Sequence, residues 1–136
     1  MDIAVAQQCL REHENAVLAT WRRDGRVQMS PVTVGLDGAG RAIISRNETT
    51  SKVRNLRRDP RATLCVFVEA FRGPWVQIEG TAEIVTLPEA MEPLVDYYRR
   101  LAGEHPDWED SRRAMIADRR ALIRITIERA GPDRQG

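Results

Sequence analysis

WVQIEGTAEIVT, residues 75 to 86, alternates cleanly. Val76, Ile78, Ala82 and Ile84 fall on one face of an extended chain; Trp75, Gln77, Glu79, Thr81 and Glu83 fall on the other. A period of two with one apolar side is a half-buried strand, so the first set belongs in a core. The second set is polar yet carries a tryptophan, as expected where a sheet meets a ligand or another subunit. Gly80 interrupts the strand and predicts a bend or the close approach of another backbone. Glu79 and Glu83 could act as an acid and base pair, but on an exposed strand face the plainer reading is solvated charge.

Outward from this strand the same period recurs. ALIRITIE (121–128) places Ala121, Ile123, Ile125 and Ile127 on one side and predicts a final strand. ATLCVFV (62–68) is a near-continuous apolar run and predicts a strand buried on both faces, with Cys65 a small core residue. NAVLATW (15–21) and VQMSPVTVGL (27–36) flank Asp24-Gly25, a hairpin signal, and Pro31 marks an edge or a bulge because it cannot donate to a ladder. DGAG (37–40) turns the chain into RAIISR (41–46), completing an expected antiparallel meander. Residues 3–12 have apolar positions at 3, 5, 6, 9 and 10, the spacing of a short docking helix. Residues 88–119 predict two helices parted by Gly103 and Pro106. Pro93 falls in the first turn of the first, while Trp108, Met115 and Ile116 form the inner face of the second. Six strands with helices inserted after the third and before the last predict a mainly β fold: an antiparallel β-barrel with peripheral helices, in one domain over 1–130, followed by a loose tail at 131–136.

With 136 residues, the chain can bury roughly two thirds of its unfolded surface without staples. Its 21 basic residues are balanced by 20 acidic ones, which argues against a nucleic-acid or membrane partner held by bulk charge. Two cysteines far apart fit a reducing cytoplasm and no metal site, and neither a signal peptide nor a membrane-length apolar run is visible. His13 and His105 have no metal-ligand spacing around them; dinucleotide, P-loop and serine-hydrolase motifs are missing.

One stretch stands apart. ETTSKVRNLRRDPRA (48–62) contains Lys52, the only lysine among those basic residues. Thr49 or Thr50 can cap a helix there, with Val53 and Leu56 inward and Lys52, Arg54, Arg57 and Arg58 wet or liganded. Thr50, Ser51 and Lys52 gather hydroxyls, free amides and an ammonium at one helix start, which suits a phosphate. An ordinary capped surface helix is the competing reading, and an arginine-rich nucleic-acid patch with Arg61 is a weaker one because no aromatics are interleaved. A phosphate handle without catalytic side chains suggests that the chemistry belongs to a cofactor.

LATWRRDGRVQMSPV (18–32), RAIISR, TSKVRNLRRDPRATLCV (50–66) and WVQIEGTAEIV (75–85), taken in order, resemble the pyridoxamine-phosphate-oxidase-like split-barrel superfamily, and within it the deazaflavin (coenzyme F420)-dependent oxidoreductases of actinobacteria. YYRRLAGEHPDWEDSRRAMIADRRALIRI (97–125) is similar to that group as well. The resemblance implies a homodimer of six-stranded split barrels with cofactor at the subunit interface. It implies phosphate contacts from Thr50, Ser51 and Lys52, with Asn55 nearby, and a ring lying near Ser30, Pro31, Val32, Ile44 and Ser45. Trp75 and Gln77 would come from the partner subunit. Some relatives carry arginine where Thr50 stands, so that contact is expected to be weaker here or supplied by another residue such as Arg46 or Arg54. The implied activity is hydride transfer from reduced F420 to a small planar electron-poor acceptor, with the proton drawn from solvent or substrate. An FMN-dependent enzyme of the same fold and a non-catalytic F420 carrier are the alternatives.

Overall fold

The structure is a computed structural model that describes residues 1–68 and 72–133. Helix α1 (Ile3–Glu12) leads into β1 (Asn15–Trp21), β2 (Val27–Thr33), β3 (Gly35–Leu36) and β4 (Ala42–Asn47); α2 (Ser51–Arg58) follows, then β5 (Arg61–Phe67) and β6 (Trp75–Val85). Helices α3 (Met91–Ala102) and α4 (Trp108–Ala117) precede β7 (Arg120–Gly131). The strands form one antiparallel sheet in the order β2-β1-β5-β6-β7-β4-β3. The sheet curls until its β2 side meets β4, where the Arg46 guanidinium donates to the Pro31 carbonyl at 3.2 Å. This is a split barrel.

Among the described residues seven strands replace the expected six because the segment 27–36 breaks at Val34. Its first part pairs with β1, whereas Gly35 and Leu36 pair with Ile43 and Ala42 of β4. One strand thus serves both sides of the split, and the Val34 amide, freed from either ladder, donates to the Glu14 carbonyl at 2.8 Å. The expected meander is corrected accordingly: apart from that short pairing, β4 lies against β7, from Ala42 opposite Ile125 to Asn47 opposite Arg120. Two further expectations change. β5 buries Ala62, Leu64 and Val66 on one face only, leaving Cys65 half-buried on the other. Ile116 is 59% exposed, so Met115, packed beside Leu94 and Leu122, carries the inner face of α4.

Period-two burial holds the barrel together. Leu18, Leu64, Ile78, Ile123 and Ile125 fill its interior, and Val53 and Leu56 of α2 join the same core. Outside, Ile43 and Leu122 pack under Ala90 and Leu94 of the α3 layer. At the hairpin between β1 and β2, Gly25 has φ 86°, the left-handed conformation that glycine adopts without strain. Gly80 stands at a register shift between β6 and β7, as its position in the strand predicts. The tail expected from 131 begins later in part: Gly131 still pairs with Gln77, and residues 134–136 lie outside the described residues. No described helix is long and apolar enough to cross a membrane.

Candidate cofactor site at the split of the barrel

Alternation along β2 turns Gln28, Ser30 and Val32 inward, opposite Thr20, Leu18 and Ala16 of β1, and leaves Pro31 exposed on the outer side. Along β4 it turns Ala42 and Ile44 into the interior core and Ile43 toward α3. By the same period Arg46 follows Ile44 on the inner side and Ser45 faces outward. The resemblance-implied ring contacts therefore divide. Ser30 and Ser45 have half-buried polar side chains on opposite faces, whereas Val32 and Ile44 are committed to the core and offer a ligand only their backbone.

Lys52 is the surprise. Read from the sequence as wet or liganded, the residue is only 9% exposed, in the first turn of α2. No carboxylate reaches it within ion-pair distance among the described residues. Burial, and then the positive charge of Arg46, hold its pKa below the ordinary lysine value. Two cationic groups, Lys52 largely covered and Arg46 half-buried, thus lie close together without a carboxylate counter-ion for Lys52 among the described residues. The helix start is equally bare: Thr50 is the N-cap but makes no side-chain capping bond, its hydroxyl donating instead to the Asn47 carbonyl at 3.0 Å. The first amides of a helix have no intrahelical acceptor, so donors and positive charge accumulate here. Ser30 Oγ and Arg46 Nε add two buried polar atoms without a hydrogen-bond partner. Such atoms are costly unless something outside the chain satisfies them. The donor set fits a phosphate-bearing group.

Asn55 belongs elsewhere. Its Nδ2 donates to Thr20 Oγ1 at 3.1 Å, and its Oδ1 accepts from Arg58 Nη2 at 3.1 Å, while the same guanidinium nitrogen donates to the Trp21 carbonyl at 2.7 Å. This buried network fastens α2 to β1. Its trace in the sequence is the inward alternation Ala16, Leu18, Thr20, which places a hydroxyl inside the barrel. Asn55→Ala is expected to lower stability by about 1–2 kcal/mol, since it removes the hydrogen bonds to Thr20 and Arg58 and leaves the buried Thr20 hydroxyl with Gln28 alone. Urea unfolding should show a lower midpoint with an unchanged slope. Neighbouring arginines are also spoken for: Arg57 lies 3.9 Å from Glu48, and Arg61 binds Asp59 at 2.7 Å and stacks over Trp21.

Trp75 and Gln77 stand away from the split within one chain, lining a groove of about 270 Å³ with Glu79 and Arg129. The two glutamates of β6 are each matched across the ladder, Glu83 by Arg124 and Glu79 by Arg129, which supports the solvated reading over acid-base work. His105 packs at tilted angles against Tyr98 and Trp108, which also meet each other edge-on. The residue that the alternation alone undervalued is Tyr97. Its hydroxyl donates to the Thr33 carbonyl of β2 at 2.8 Å, so α3, like Arg46, spans the split.

The family model described as pyridoxamine 5'-phosphate oxidase matches residues 4–132. The chain belongs to that family. Among solved structures, the conserved hypothetical protein Rv2991 from Mycobacterium tuberculosis is similar at 26% identity with a TM-score of 0.77, over 96% of this chain and 82% of that one. A structure named F420 reductase is similar at 20% identity and a TM-score of 0.69, over 92% and 94% of the two chains. The haem storage protein HutZ from Vibrio cholerae shares the fold at 16% identity and a TM-score of 0.71, over 96% and 94%. The fold is thus shared by structures named for a reductase and for haem storage, so the fold by itself fixes no role.

Proposed function

We infer that this pyridoxamine-phosphate-oxidase-family chain is an oxidoreductase that binds coenzyme F420 at the split of its barrel. The observation that carries the reading is Lys52: a largely covered side chain whose ammonium lies near Arg46, with no carboxylate against it among the described residues and a bare helix start around it. Lys52 and the first amides of α2 hold the phosphate, with Thr50 and Ser51 at the same helix start. Arg46 and Ser30 supply the remaining donors, and the core side chains of Val32 and Ile44 keep water from the inner side of the split. Bound F420 supplies hydride chemistry toward a small planar electron-poor acceptor; the chain contributes position and a dry wall. Similarity to an F420 reductase supports the deazaflavin over FMN, while the family match supports a flavin-type cofactor in general.

The same reading carries a homodimer in which Trp75 and Gln77 reach the cofactor of the opposite subunit. Large apolar side chains on the surface support a partner: Val5 is 53% and Met29 67% exposed, and Trp75 borders an apolar hollow of about 530 Å³ with Met1, Val5 and Pro74. Sedimentation is expected to give twice the mass of the chain.

Titration of the purified protein with F420 and with FMN tests the cofactor. Tighter binding of F420 is expected, and tighter binding of FMN overturns the choice. Oxidation of reduced F420 by a quinone or an enone faster than without protein is the expected result for an enzyme; an unchanged rate across such acceptors identifies a carrier.

A further inference from the structure

The split is a gap between two strand edges, and the pairing registers decide which backbone groups face it. In an antiparallel pair, residues that exchange hydrogen bonds alternate with residues whose N–H and C=O point away. The Val34 amide donates to the Glu14 carbonyl and the Arg22 amide to the Arg26 carbonyl, so on the β1–β2 register the even-numbered residues of β2 bond to β1. Met29, Pro31 and Thr33 therefore turn their backbone groups to the free edge. On β4 the Glu48 amide donates to the Arg119 carbonyl in continuation of the β4–β7 register. Ala42, Ile44 and Arg46 thus bond to β7, while Ile43 and Ser45 face the other way. Gly35 of β3 answers Ile43, but among the described residues no strand answers Ser45.

Two side chains stand in for the missing ladder. Arg46 Nη2 donates to the Pro31 carbonyl at 3.2 Å, and the Tyr97 hydroxyl donates to the Thr33 carbonyl at 2.8 Å. They differ in stiffness. Arg46 is a long chain with many torsions, whereas the Tyr97 ring is packed against the cluster of Ile43, Ala90, Leu94 and Leu122 beneath α3. Burial pushes the Tyr97 phenol up, while the Ser45 amide and the charges of Arg46 and Arg120 act against that rise, which places these three groups around its oxygen.

We propose that Tyr97 is a positioning residue for the phosphate site. By holding the Thr33 carbonyl it fixes the edge of β2, keeps the Pro31 carbonyl within reach of Arg46, and so aims the Arg46 guanidinium at the ligand. A guanidinium is a planar fork, so anchoring Nη2 leaves Nε one direction to point. That Nε is buried and has no acceptor within the chain. A donor already held in this way loses little further side-chain freedom when an anion arrives. The inference rests on the reading of the split as a phosphate site for its ligand; the link from Tyr97 to Arg46 is a property of the chain alone.

Tyr97→Phe keeps the ring and removes only the hydroxyl. In the ligand-free full chain, the Nε–H resonance of Arg46, identified by its loss in Arg46→Leu, is expected to shift and broaden in Tyr97→Phe. The resonance of Arg124, which is bound to Glu83, is expected to stay in place. Titration with F420 and with FMN is then run on the wild type, both variants and the double variant. Tyr97→Phe is expected to weaken binding about three- to tenfold in the wild-type background and by less than about twofold in Arg46→Leu, because the two act through one contact. An unchanged Arg46 resonance overturns the proposal, as does an equal loss of affinity in both backgrounds. A lower unfolding midpoint with an unmoved Arg46 resonance makes Tyr97 a brace of the fold alone and overturns it too. If the wild type binds neither ligand, the cofactor reading fails, and the Arg46 resonance by itself decides the role of Tyr97.

Discussion

Replacing Lys52 by methionine is expected to weaken F420 binding by about 10- to 150-fold, the equivalent of one charge-assisted phosphate contact of about 1.5–3 kcal/mol. The same substitution should raise the melting temperature of the ligand-free protein. Burial, and secondly the nearby Arg46 charge, depress the pKa of Lys52 below its ordinary 10.5, so the folded chain binds fewer protons than the unfolded one between the lowered value and 10.5. Stability therefore rises with pH across that window, is highest above it, and is lost as pH falls through the folded pKa. At neutral pH the ammonium is a net cost to the fold. Methionine fills much of the space without the charge and relieves that cost, while a bound phosphate relieves it in the wild type. Affinity for the cofactor should accordingly decline at alkaline pH as Lys52 loses its proton. Calorimetric titration and thermal melts of both proteins across pH check the pair of effects. Weaker binding together with a lower melting temperature would show that Lys52 is a structural residue instead.

Gly80→Val is expected to destabilise the protein by at least about 3 kcal/mol, lowering the melting temperature by roughly 10 °C. A Cβ at this position would fall far inside van der Waals contact with the Thr126 carbonyl oxygen and within 2.8 Å of Ile125 Cγ2. The obstacle is the backbone of the adjacent strand, which cannot rotate away as a long side chain could. Gly80 stands at the register shift between β6 and β7, so the strain spreads into the ladder that links the centre of the sheet to β4 and the cofactor side. Gly131, on the same strand pair, is the control: a Cβ there meets nothing within 4 Å, and Gly131→Ala should change stability by less than about 0.5 kcal/mol. Thermal denaturation of the two variants checks the contrast. A mild effect at Gly80 would mean that β6 and β7 separate more readily than their pairing indicates.

Close approach at Gly80 was legible because a glycine inside an otherwise regular alternation gives up side-chain packing, which a strand does where another backbone comes near or the chain bends. The hairpin at Asp24-Gly25 and the two-helix segment divided at Gly103 were legible for a related reason: turn residues and hydrophobic periods are local properties of the chain. Lys52 could be singled out by type and position, but its burial could not. Helix α2 shows Val53 and Leu56 as its apolar face, and only the curvature of the sheet over that face brings Lys52 under cover beside Arg46. Asn55 shows the opposite case. The resemblance implied a place for it near the phosphate, yet Thr20, 35 positions earlier, takes a hydrogen bond from its carboxamide.

By itself the amino-acid sequence determined where most strands and helices lie, which side of β6 and β7 faces the core, and that the one lysine stands at a helix start. These follow from side-chain period and backbone preference, which act over a few residues. Only the tertiary structure decided that residues 27–36 divide between two neighbours, that β4 pairs with β7, and that Arg46 and Tyr97 bridge the split. Those outcomes depend on pairing between segments up to about 80 residues apart, where many registers satisfy the same alternation. The choice among them belongs to the packing of the whole barrel.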